Sequence, residues 1–186
     1  MDTQSVKIVV AGGFGTGKTT LVGAVSEIPP LTTEERLTEA SVGVDDLAGI
    51  EGKTETTVAL DFGRITINDN LVLYLFGTPG QDRFWFMWDE LSRGALGAIV
   101  LVDTRRLDAS FPAVDYFESR TIPFVVAVNE FNDEHLYNED EIRGALKLSE
   151  SIPLVFCDAR KGDRAKKPLI SLVEHVLAQP SAASRA

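Results

Sequence analysis

Gly12-Gly13-Phe14-Gly15-Thr16-Gly17-Lys18-Thr19 follows the apolar run Val6–Ala11 directly and opens Lys18–Glu27, a stretch with Leu21, Val22, Val25 and Ile28 at helical spacing. This is the P-loop pattern G-x-x-x-x-G-K-[ST] in its required strand–loop–helix setting. Glycines let successive N–H groups turn inward so that the backbone wraps a phosphate chain. The first helical turn adds unsatisfied N–H donors and a partial positive charge. In such a loop Lys18 reaches the β and γ phosphates, the Thr19 hydroxyl ligates Mg²⁺, and Thr20 can add a hydroxyl contact to the α phosphate. A Gly-rich turn with a solvated lysine is the plainer alternative, and the flanking strand and helix argue against it.

The elements that must position this loop alternate along the chain. Val6–Ala11, Val58–Ile67, Leu71–Phe76, Ala98–Val102, Pro123–Val128 and Leu154–Cys157 are short, apolar and rich in β-branched residues. That profile suits central strands of a sheet covered on both faces. Asp82–Ser92, Ala113–Ser119, Glu139–Leu148 and Lys166–Leu177 join Lys18–Glu27 as amphipathic helices. Only Asn68-Asn70 punctuates the second and third strands, which predicts an antiparallel hairpin there. The expected fold is α/β: a P-loop domain with a six-stranded, mostly parallel sheet, one antiparallel strand, and helices on both faces. Residues 1–179 form this single domain, and Pro180–Ala186 reads as a frayed tail. Pro29–Glu55 shows no sustained period, and a connection of that length is usually functional or mobile.

Composition bounds the rest. The chain has 186 residues and carries 18 Lys and Arg against 28 Asp and Glu, a net charge of −10, which argues against unspecific attraction to nucleic acid or anionic lipid. A single cysteine, Cys157, cannot build a disulfide framework, which fits a cytoplasmic setting. No stretch approaches the ~20 apolar residues a bilayer span needs, so no direct membrane insertion is expected. His135 and His175 lie far apart and lack zinc-ligand spacing.

With these elements in place, the order of motifs from Met1 to about Leu177 resembles the Ras-like small GTPases. The likeness is closest to the bacterial branch that includes the gliding-motility GTPase MglA and the conservon-type GTPases of actinobacteria. It rests on Gly12–Thr19, Thr57-Val58-Ala59-Leu60-Asp61-Phe62, Thr78-Pro79-Gly80-Gln81, Asn129 and Asp158-Ala159-Arg160. The resemblance implies GTP and GDP as ligands and Mg²⁺ as cofactor. It makes Pro29–Glu55 switch I, with Thr57 binding Mg²⁺ and the γ-phosphate beside Thr19. Gly80 would meet the γ-phosphate, and Gln81 would orient the attacking water as the catalytic residue. Asn129 would brace the nucleotide loops, and the Ala159 N–H would donate to guanine O6. The implied partners are a roadblock-domain regulator and, in conservon-type operons, a sensor-kinase-like membrane protein that could recruit the chain to the membrane.

Four positions depart from that pattern. Gly77 stands where the switch II aspartate normally holds Mg²⁺ through a water, so another acid must substitute or metal affinity falls. Asn129-Glu130-Phe131-Asn132, followed by Asp133, replaces Asn-Lys-x-Asp. Asn132 has one acceptor and one donor group and matches the guanine edge less well. Either Asp133 takes the role or base specificity relaxes, with Phe131 stacking beneath the base. Phe14 crowds the space that Gln81 and an arginine finger would enter. Thr56, not arginine, precedes Thr57, and a missing finger costs ~10³–10⁵ in kcat.

The leading reading is therefore a slow GTPase acting as a regulatory switch. A nucleotide-holding scaffold without turnover is the alternative, and a small-molecule phosphotransferase using Arg105-Arg106 is a third. Phe84-Trp85-Phe86-Met87-Trp88 cannot all face inward on one helix, so an exposed remainder reads as a partner surface. Glu34, Glu35, Glu39, Asp45, Asp46, Glu51 and Glu55 crowd switch I and call for a basic partner.

Overall fold

A computed structural model describes residues 3–29, 31–37, 56–80, 86–131 and 137–179, with 31–37 and 56–59 described through their backbone alone. Seven strands form one sheet: β1 (Gln4–Gly12), β2 (Leu31–Leu37), β3 (Thr56–Asn68), β4 (Leu71–Gly77), β5 (Gly97–Val102), β6 (Phe124–Asn129) and β7 (Leu154–Cys157). Their order is β2-β3-β4-β1-β5-β6-β7. β1 pairs in parallel with β4 and β5, and β6 in parallel with β5 and β7. β3 runs antiparallel to both β2 and β4, so among the described residues it is the one strand against the common direction. The hairpin turns where the asparagines predict, with the Asn70 N–H donating to Asn68 Oδ1 at 2.8 Å.

All six expected strands are present, and β2 is a seventh within the segment read as a switch I loop. The sequence Leu31-Thr32-Thr33-Glu34-Glu35-Arg36-Leu37 has no apolar alternation to announce a strand. An edge strand needs none, because its ladder to β3 supplies the backbone partners. Glu34 and Glu35 therefore belong to a strand; Glu39, Asp45, Asp46, Glu51 and Glu55 lie outside the described residues.

The helices are α1 (Lys18–Val25), α2 (Phe86–Ser92), α3 (Phe111–Ser119), α4 (Glu139–Leu146), α5 (Gly162–Ala165) and α6 (Lys167–Ala178), with a 3₁₀ helix at Thr104–Ser110. The acidic start of α4 is fixed by a capping box between Asn138 and Glu141. Pro168 divides the expected helix Lys166–Leu177 from the short α5 that precedes it, since proline fits only a first turn.

Alternation along the central strands splits the core in two. Val9, Ala11, Val100, Val102, Val126 and Val128 face α2, α3 and α4, where Trp88, Phe117 and Ile142 meet them. Ile8, Val10, Ile99, Leu101, Val125 and Ala127 face α1, α5 and α6. Each fully buried side chain of this size contributes about 1.5–3 kcal/mol, so Leu21 and Val22, both fully buried, hold α1 firmly on the sheet.

The aromatic run divides as its spacing demands. Trp88 is buried, stacked on Phe117 and edge-on to Tyr116, and its indole N–H donates to Pro79 O at 3.4 Å. Phe86 is 62% exposed, while Phe84 and Trp85 lie outside the described residues.

Candidate functional site

Parallel strands bring the ends of β1, β4, β5, β6 and β7 to one edge of the sheet, the place where open α/β folds bind ligands. Gly12, Gly77, Val102, Asn129 and Cys157 close those strands. Every motif expected to do chemistry begins at one of them or on β3 beside them.

The loop after β1 has the geometry its glycines permit. Gly17 has φ +102°, and a side chain there would drive into Asn129 Nδ2, 2.5 Å from its Cβ position. Gly17 also caps α1 without a side-chain bond, and the first turn carries no acid. The leading N–H groups of α1 are thus left for an anion. Thr16 Oγ1 donates to Gly13 O at 3.0 Å, which tightens the loop.

Lys18 lies across the hollow of this loop. Its ammonium donates to Gly12 O at 2.9 Å and Gly13 O at 2.7 Å, and only 8% of the residue is exposed. Burial draws its pKa from 10.5 down to about 8, against the opposing pull of Asp61. Gly80 closes the hollow from above. A Cβ there would lie 2.7 Å from Lys18 Nζ and 2.8 Å from Phe14 Cα, so only glycine fits.

The space beside Gly77 is filled by a carboxylate from the neighbouring strand. Asp61 pairs with Gly77 across the hairpin, is buried, and accepts a 2.6 Å hydrogen bond from Thr19 Oγ1. A Cβ on Gly77 would stand 2.9 Å from Asp61 Cβ and 3.0 Å from Asp61 Oδ2. One carboxylate occupies the space, and it enters from β3 instead of β4.

Side chains organise the other end of the site. Asn129 Nδ2 donates to Thr16 O at 2.9 Å, while its Oδ1 accepts from the Ala159 N–H at 3.0 Å. A single amide therefore ties the loops after β1, β6 and β7. Two Asp-x-Arg turns flank it. Asp103 is fully buried and accepts from the Arg105 N–H, Nε and Nη2 between 2.8 and 3.0 Å. Burial raises its pKa, and the Arg105 bonds outweigh that and leave it below the ordinary value. Asp158, also fully buried, accepts the same three bonds from Arg160. Those bonds, opposed by burial, hold its carboxyl far below the usual range. The Arg105 guanidinium also lies 3.7 Å from the centre of the Phe131 ring. Cys157, behind Asp158, is buried with its thiol pushed up to about 12, an inert core group.

Known proteins carry the same frame. The G domain of the T. maritima FeoB iron transporter superposes with a TM-score of 0.60 at 19% identity, covering 94% of this chain and 98% of that one. The cytosolic domain of the same transporter, in a GDP form, gives 0.64 at 17% identity over 95% of this chain and 65% of that one. The fold is that of a G domain. An uncharacterised protein of Methanocaldococcus jannaschii is 33% identical over 132 residues, 70% of this chain and 73% of its own length. Residues 10–179 match the family described as conserved hypothetical ATP binding protein. The chain belongs to this family.

In this family member the structure brings together Gly12 to Thr19, Gly80, Asn129, Phe131 and Ala159. Thr20 is exposed on the first turn of α1. The Ala159 N–H assigned to a base carbonyl is engaged by Asn129, and one face of Phe131 is taken by Arg105. Thr57 sits second in β3, in register with Arg36. Gln81, Asn132, Asp133 and His135 lie outside the described residues. The sequence places Asp61 in the Thr57–Phe62 motif without assigning it any chemistry. The turn alone does not announce it: Asn68 pairs with Leu71, and the register shift between Thr66 and Asn68 is what sets Asp61 opposite Gly77.

Proposed function

We propose that this chain is a nucleotide-dependent regulatory switch that binds GTP and GDP, hydrolyses GTP slowly, and signals to a protein partner through Pro29–Glu55 and Gly77–Trp88. The observation that carries the reading is the 2.6 Å bond between the Thr19 hydroxyl and Asp61 at the uncapped start of α1, opposite a bare Gly77. Lys18, buried on the loop carbonyls, would exchange them for phosphate oxygens, and phosphate charge would offset the cost of its burial.

The donor set suits Mg²⁺. Thr19 and Asp61 offer only oxygen, and Mg²⁺ binds through one or two carboxylates together with phosphate and water. Thr57 would join them by resemblance. The ion would neutralise charge on the β and γ phosphates. Gln81 would orient the attacking water. Phe14, whose Cα lies 2.8 Å from the Cβ position of Gly80, narrows the approach for a finger. Thr56, not an arginine, stands immediately before Thr57. Both features favour slow turnover, and with it a scaffold that holds nucleotide as the second reading.

The family's description names ATP, whereas the FeoB domain is known in a GDP form. Base choice is therefore the point to test. By resemblance the partner would be a roadblock-domain regulator, and a sensor-kinase-like membrane protein could recruit the chain from the cytoplasm. Among the described residues no helix is long and apolar enough to cross a membrane. Mass spectrometry of nucleotide retained by the purified protein, with GDP, XDP and ADP affinities measured side by side, tests the reading. Guanine preference supports it, and tight ADP preference sinks it. Single-turnover hydrolysis with and without partner then separates switch from scaffold.

A further inference from the structure

Arg105 and Arg106 stand side by side after β5, yet they serve opposite ends of the site. Arg105 is committed to Asp103 and Phe131. Arg106 falls at a kink in the 3₁₀ helix, with φ −145° and ψ 58°, and turns back over the P-loop. Its Nη2 donates to Phe14 O at 2.7 Å and lies 3.0 Å from where a Cβ on Gly15 would stand. The same 3₁₀ helix presses the loop at Gly13, whose Cβ position is 2.8 Å from Ala109 Cβ.

A trans peptide points its C=O and its N–H in opposite directions. With Phe14 O held outward by Arg106, the N–H of the same peptide, that of Gly15, is turned toward the hollow. Glycine does not hold that orientation by itself. Gly15 has φ +75°, and a residue without Cβ populates both signs of φ. The guanidinium supplies the missing constraint through a charge-assisted bond, roughly twice as strong as a neutral one. It also polarises the peptide, which strengthens the N–H as a donor. The position along the phosphate chain follows from the neighbours. The Cβ position of Gly80 lies 2.8 Å from Phe14 Cα and 2.9 Å from Phe14 N, one bond before the Phe14–Gly15 peptide, and 2.7 Å from the Lys18 ammonium, which in a P-loop reaches the β and γ phosphates.

We propose that Arg106 is a positioning residue that locks the Phe14–Gly15 peptide with its N–H aimed at the terminal phosphates, and so sets the preference for a triphosphate over a diphosphate. The proposal rests on the nucleotide-binding reading and adds to it a residue that touches neither nucleotide nor metal.

The test uses the full chain with Mg²⁺ and the variants Arg106→Ala, Arg106→Gln and Arg106→Lys. Calorimetry gives affinities for GDP and a non-hydrolysable GTP analogue, with the adenine pair in parallel, and ¹⁵N spectra follow the Gly15 amide without nucleotide. Arg106→Ala is expected to weaken the triphosphate about tenfold more than the diphosphate. The Gly15 resonance should shift in the same variant, and Gln and Lys should each recover part of the difference. An unchanged ratio of the two affinities overturns the proposal. So does an equal loss for both nucleotides with a lowered melting temperature, which would make Arg106 a brace for the loop. A wild-type chain that binds neither nucleotide overturns the nucleotide reading and the preference together. The Gly15 shift would then still show whether the guanidinium orients the peptide.

Discussion

The two ends of the candidate site, the proposed phosphate end and the proposed base end, are built from different materials. At the phosphate end the hollow is lined mostly by backbone, shaped by glycines that tolerate no Cβ, with Lys18, Thr19 and Asp61 as the side chains bonded there. At the base end, side chains hold side chains: Asn129 ties three loops and two buried aspartates each clamp an arginine two residues on. Backbone geometry is local and leaves a contiguous signature. Side-chain braces between loops after different strands leave residues scattered over the chain. The first end is therefore rigid in sequence, and the second can vary its composition while keeping its framework.

The largest effect should come from the centre of the phosphate end. Lys18→Ala removes the ammonium that lies across the hollow, and equilibrium titration should show nucleotide affinity falling about 100-fold or more. An unchanged affinity would mean that the backbone alone carries the phosphates.

Next comes the transfer of one carboxylate between strands. Gly77→Asp restores the usual switch II residue yet forces a Cβ to within 2.9 Å of Asp61 Cβ, and it places two acids in one space. Denaturant unfolding should register a loss of about 2–4 kcal/mol. Adding Asp61→Gly should recover most of it, together with Mg²⁺-dependent nucleotide binding. A double variant no better than Gly77→Asp alone would show that Asp61 does not stand in for the missing acid.

At the base end, Asn129→Ala leaves Thr16 O and the Ala159 N–H without their partner at once. Loss of about 2–3 kcal/mol in unfolding free energy is expected. A comparable loss at Asp158 or Asp103 but not here would shift the brace from the amide to the Asp-x-Arg turns.

The smallest effect depends on pH. The Asp158 pKa is depressed in the folded chain, so the carboxylate's contribution is complete above its unfolded value, about 3.9, and is lost as pH falls through the lower folded one. Asp158→Asn should be less stable than wild type at pH 7, and urea midpoints of the two should converge as pH drops below about 4. Midpoints that stay equally far apart at low pH would assign the defect to packing.

The same contrasts govern how much of the molecule its sequence announces. The P-loop, the six apolar strands and the asparagine turn were legible because each is announced within a few residues. β2 was not, because Thr32 to Arg36 are polar and an edge strand depends on its ladder rather than on burial. The 3₁₀ helix was also missed; it starts from the buried Asp103 carboxylate, whose partners only the fold reveals. The role of Asp61 was not legible: counting back from the Asn68–Leu71 pair gives Thr78 as its neighbour, a register shift between Thr66 and Asn68 makes it Gly77, and the bond to Thr19 depends on how β3 packs on α1.

The indole of Trp88 has a practical consequence. It is buried in the core, and its N–H rests on the carbonyl of Pro79, the residue before the glycine that covers Lys18. The chain holds two tryptophans, and Trp85→Phe would leave Trp88 as the sole emitter. Any ligand that displaces Gly80 must then alter the polarity around that ring. The protein carries its own fluorometer, wired to the lid of its phosphate loop.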